Sequence, residues 1–141
     1  MKLNFAFTYI MAIKYEPAPD ILEKVRDLRD TIGMFHIQLD NISVMRSHGS
    51  SSRGTVARCH ALGKIMQMAL GRHGKGRGFY VLEFISERFD RLSEEDKIKT
   101  IIHEMLHIPK SFGGGFKHHD FVNHRNINQF FQEYKRLKTH K

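Results

Sequence analysis

Residues 103–107 read His-Glu-Met-Leu-His, with the two histidines four positions apart. On a helix that spacing puts both imidazoles on one face, one turn from each other. Two such rings can reach a single Zn2+ ion at roughly 2.0–2.1 Å. Glu104 then falls beside the open coordination position, where a carboxylate can take a proton from an activated water and later return it to a leaving amine. The pattern is the helix signature of zinc peptidases. Its surroundings favour a helix as well. Ser93 is a good N-cap with Asp96 in a capping-box-like position, and Glu94 and Glu95 suit the positive helix end. Ile98, Ile101, Ile102, Met105 and Leu106 form one apolar stripe, and Pro109 stops the helix two residues after His107.

A catalytic zinc site needs a third protein ligand. Downstream lie Gly113, Gly114 and Gly115, which let the chain reverse tightly, and then Lys117, His118, His119 and Asp120. His118 is the expected third ligand and His119 the alternative. Asp120, His124 and Glu133 are poorer candidates. Residues 121–137 read as a helix whose stripe of Phe121, Ile127, Phe130, Phe131, Tyr134 and Leu137 turns inward, leaving Glu133 toward solvent.

Other elements must hold these groups in place. Residues 1–15 suggest an extension or an alternative start at Met11, with the domain running over 16–141. Asp20 is a candidate N-cap for a helix carrying Ile21, Leu22, Val25, Leu28 and Ile32, closed by Gly33. Asn41–Arg46 reads as a short strand. Leu62, Ile65, Met66, Ala69 and Leu70 give 56–70 a helical reading despite Gly63, and 71–78 alternates glycine with basic residues as a hairpin tip would. Phe79–Ile85 is the strongest strand, and it is expected to offer a sheet edge to an extended peptide.

Composition narrows the field further. The 141 residues suit one domain, 40% hydrophobic content with eleven Phe supports a core, and no apolar run is long enough to span a bilayer. One cysteine, Cys59, excludes an intrachain disulfide, and with seven Met it suggests the cytoplasm. Nothing around Cys59 suggests a reactive thiol. His36, His60, His73 and His140 read as ordinary polar residues, His48 as a surface group and Tyr134 as core packing. The net charge of +8 is concentrated: residues 41–82 contain seven Lys or Arg and no Asp or Glu. Such a segment attracts nucleic acid, anionic surfaces or acidic protein segments.

The run His103–Phe121, with Tyr80–Asp96 upstream, resembles the small metallopeptidases of archaea and phages, which are similar to SprT-like minimal zincins. The resemblance extends from about Ile42 to Tyr134. It implies a zincin fold with three histidine ligands, matched here by His103, His107 and His118, and a catalytic glutamate matched by Glu104. Expected, then, is an α+β single domain: a small mixed or antiparallel sheet against the ligand helix and flanking helices. Its function would be Zn2+-dependent hydrolysis of peptide bonds, acting on a protein or peptide, near nucleic acid if 41–82 binds it, and with no membrane partner. The alternatives are a metal-dependent nucleic-acid hydrolase, which the position of Glu104 disfavours, and a nucleic-acid-binding protein with a structural zinc, for which the fourth ligand would be His119.

Overall fold

Strand alternation and helical periodicity account for most of the architecture in the computed structural model, which describes residues 12–72 and 76–139. Four strands form one mixed sheet in the order β1-β2-β4-β3. They are β1 (Lys14–Pro17), β2 (Ile42–His48), β3 (Ala57–Ala61) and β4 (Tyr80–Ile85). β1 runs antiparallel to β2, β2 parallel to β4, and β3 antiparallel to β4. The helices are α1 (Pro19–Ile32), α2 (Lys64–Ala69), α3 (Ser86–Phe89), α4 (Glu94–Leu106) and α5 (His124–Thr139), with a 3-10 turn at Leu39–Asn41. This is the expected single α+β domain with a small mixed sheet.

Ile42 and Val44 of β2 and Tyr80, Leu82 and Phe84 of β4 join Val25, Leu28, Ile102, Met105 and Phe131 in one core. Each such aliphatic or aromatic side chain contributes about 1.5–3 kcal/mol by leaving water. α1 begins with Pro19 in its first turn and ends at Gly33, whose φ of 87° supplies the left-handed cap. Asp20 is not its cap. The capping position is Ala18, and Asp20 instead accepts two bonds from Arg46, which also donates to Asp90. α5 is fastened to α1 where Asp27 accepts from Tyr134 Oη and pairs with Lys138 Nζ at 2.6 Å.

Three further sequence expectations are revised. Residues 56–70 are not one helix. Ala57–Ala61 pairs along β4, and Gly63 turns the chain in extended conformation before α2 begins. Phe79–Ile85 is not a sheet edge, because β4 lies between β2 and β3. Its residues are mostly apolar in both directions of the pleat, which suits an interior strand; the edge beside the histidine helix is β3. The last helix starts at His124, leaving Phe121 outside it. Of the proposed extension, residues 1–11 lie outside the described residues, while Lys14 and Tyr15 pair with His48 and Ser47 in β1. The 71–78 tip lies partly outside them too, as do His73 and His140.

Candidate metal centre

α4 starts as its sequence dictates, with Ser93 Oγ accepting from the Asp96 amide at 3.2 Å. Ile101, Ile102, Met105 and Leu106 bury one side. The helix then carries His103 and His107, their ring centroids 5.0 Å apart. His107 is the residue that closes the helix, and its ring is sandwiched against Phe116, stacked at 4.4 Å and 16°.

Two hydrogen bonds, one from the main chain and one from the His107 ring, return the chain to this point. The Lys117 amide donates to the His107 carbonyl at 2.8 Å, and His107 Nδ1–H donates to the Lys117 carbonyl. The second bond fixes the tautomer: Nδ1 carries the proton and Nε2 keeps its lone pair. Two residues later His119 arrives with its ring 5.3 Å from His107 and 5.7 Å from His103. The ligand atoms of His103, His107 and His119 all lie within 4.8 Å of one another. His118 stands outside this group; its ring is 5.7 Å from Phe116, and its carbonyl accepts from the Phe121 and Val122 amides. Asp120 and Glu133 are outside it also, with Glu133 paired to Arg136 at 2.7 Å. His118 instead lies beside Phe116, at the start of the turn that its own carbonyl closes, while the next side chain, His119, approaches the two helical histidines.

The return loop rests on groups that sequence reasoning missed. Tyr80 Oη donates to the Gly115 carbonyl at 2.7 Å and accepts from the Gly114 amide at 3.0 Å. Gln67 Nε2 donates to the carbonyls of Leu62 and Gly113. Gly78 passes so close that a Cβ there would lie 2.7 Å from Gly114 N and Phe112 O. Gly114 has a φ of 98°, and a Cβ on it would meet the Gln67 amide. The one sequence signal for this clamp was a lone glutamine inside the apolar run Ile65–Leu70.

Electrostatics suit a cation. Burial, helped by the neighbouring histidines, pushes His103 down to about 4, and burial lowers His107 as well, so both are neutral near pH 7. Neutral imidazole is the ligating form. Glu104 is 5% exposed, and burial pushes its carboxyl up to about 8. A nearby divalent ion would favour its charged form. Three convergent nitrogen donors with one tautomer preset therefore fit a divalent metal ion.

His103 and Glu104 open into a cleft of about 790 Å3. Thr55–Ala57 at the start of β3, Asp96 and Lys99 on α4, and His124 and Arg125 at the start of α5 also line it. Cys59 on β3 is held up to about 12 by burial and by the Glu104 charge, the opposite of a reactive thiol. His48 pairs with Glu16 at the surface, His60 bonds Glu83 at 2.8 Å, and His36 meets the Ile108 carbonyl at 3.2 Å. Tyr134 is core, as its helical stripe implies.

The family model described as "Putative phage metallopeptidase" matches residues 13–140. The chain belongs to that phage metallopeptidase family. No curated protein and no solved structure matches it. Membership in a metallopeptidase family implies a metal, and His103, His107 and His119 are a group on this fold that could hold one. No described helix is long and apolar enough to cross a membrane.

Proposed function

We propose that this phage metallopeptidase is a zinc-dependent endopeptidase in which His103, His107 and His119 hold the ion and Glu104 is the general base and acid. The observation that carries this reading is the mutual approach of three imidazole ligand atoms within 4.8 Å beside a buried glutamate. Three nitrogen ligands with one open position are the arrangement of catalytic zinc, whereas a closed fourth ligand marks structural zinc. When bound, Zn2+ supplies Lewis-acid polarisation of the scissile carbonyl and of the attacking water. The chain's own residues do the rest. Glu104 accepts the proton of the attacking water at a carboxylate oxygen and delivers it to the departing amine. The Lys117 carbonyl keeps His107 in the correct tautomer throughout. The free edge of β3, flanking the cleft at Thr55–Ala57, offers main-chain donors and acceptors to an extended substrate strand.

Replacing Glu104 with Gln tests the assignment. The variant should bind Zn2+ with wild-type stoichiometry while cleavage of a denatured protein falls by about 100-fold or more. Cleavage at the wild-type rate would remove Glu104 from the mechanism. Loss of the metal together with activity would make it a ligand instead.

A further inference from the structure

α2 is built inside out. Its one buried residue is polar: Gln67, 3% exposed, turned inward to the carbonyls of Leu62 and Gly113. Its large apolar side chains face solvent, with Ile65 81%, Met66 53%, Met68 63% and, just beyond the helix, Leu70 62% exposed. Since residues 63–66 and 68–71 are all exposed, the element is a ridge whose one buried side chain is Gln67. Leaving four such side chains in water is costly, so an apolar phase or partner must be available to them.

The charges beside the ridge narrow the choice. Lys64 and Arg77 are exposed and pair with no carboxylate among the described residues. Arg72 is half-buried and turned inward, donating to the Asn41 side chain and the Gly78 carbonyl, and among the described residues it pairs with no carboxylate. Arg46 and Arg58, the acid-free window's other described cations with carboxylates nearby, are engaged by Asp20 and Asp90 and by Glu83. A second copy of the chain would set the same cations against each other. Nucleic acid would satisfy the cations and leave the apolar ridge in water. An anionic bilayer satisfies both, because headgroups meet the cations while the acyl boundary takes side chains without a shaped groove.

We propose that α2 is a peripheral membrane-contact element that inserts Ile65, Met66, Met68 and Leu70 into the interface of an anionic bilayer, with Lys64 and Arg77 at the headgroups. This stands apart from the peptidase reading. It also replaces the expectation of no membrane partner, since lying on a bilayer needs no spanning segment.

The test is sedimentation of the intact protein with vesicles of phosphatidylcholine alone or containing a quarter phosphatidylglycerol. Binding should require the anionic lipid and weaken with salt. Both Ile65→Asp/Met68→Asp and Lys64→Glu/Arg77→Glu should lower the partition coefficient by about tenfold or more. All four sites are exposed, so unchanged circular dichroism and Tm are expected controls. The chain has no tryptophan, so Met68→Trp places a single reporter on the ridge, and its emission should shift to the blue when the vesicles are added. Wild-type protein that stays in the supernatant with anionic vesicles at low salt overturns the proposal. So does unaltered binding by Ile65→Asp/Met68→Asp, or bound protein whose Trp emission does not move. A dimer in the ultracentrifuge that Ile65→Asp/Met68→Asp disperses would assign the ridge to a second copy and overturn it likewise.

Discussion

Two neighbouring histidines with the same chemistry differ here by one residue of chain. The Lys117 link to His107 sets where the return ends, and His119 is the next side chain able to reach the cluster. His119→Ala should therefore lose the metal, by stoichiometry of the purified protein, while His118→Ala should keep it. Equal retention in both would remove His119 from the ligand set. His103, Glu104 and His107 were legible because helical spacing alone places them. The approach of His119, and not His118, to the helical pair was not, since it depends on how the chain returns to His107 through bonds at the Lys117 main chain. The same holds for Tyr80, which reads as an ordinary strand aromatic. Its hydroxyl nevertheless joins two of the three consecutive loop glycines.

At the scale of elements, the loop is held by β4 and α2 as well as by its own link between His107 and Lys117. Tyr80→Phe removes both hydroxyl bonds while keeping the ring against Phe112, 4.9 Å away. It should weaken metal affinity by about 10–100-fold, the usual cost of losing a group that orients ligands, with far-ultraviolet circular dichroism unchanged. A chelator-competition titration measures this, and unaltered affinity would show that the loop holds itself. Gly114→Ala should cost more than Tyr80→Phe, because it combines left-handed backbone with a clash on Gln67. β2, β4 and the apolar stripes of the three long helices, α1, α4 and α5, were readable by periodicity, whereas the stripe read over 56–70 was not. Its first half is strand β3, and its apolar residues Ile65, Met66 and Leu70 face water, because periodicity reports that a face is apolar and not what covers it.

The whole molecule closes through the contact between its first and last helices. Burial raises the Asp27 carboxyl, but bonds from Lys138 and Tyr134 outweigh this and hold it below its ordinary value. A group depressed in the folded state stabilises above its unfolded pKa of about 3.9 and loses that contribution as pH falls through the folded value. Asp27→Asn should therefore lower Tm at pH 7 and make little difference near the acid limit. Because the pair is about one-third exposed (36% and 35%), the effect at pH 7 should be about 1 kcal/mol or less. Thermal melts of both proteins between the acid limit and neutrality measure it, and a constant Tm difference across that range would contradict the coupling.

The clamp on the return loop has a consequence for biosynthesis. Gln67, Gly78 and Tyr80 all precede Gly113–Gly115 in the chain, so a ribosome makes the socket before the segment that plugs into it. All three histidines of the cluster lie in the last third of the sequence. The nascent chain thus carries none of the three proposed ligands while the sheet is being laid down, and on that ligand set metal capture would be a late event in maturation. A chain stalled before residue 119 would have its strands and helix α4 but no third histidine to close the cluster.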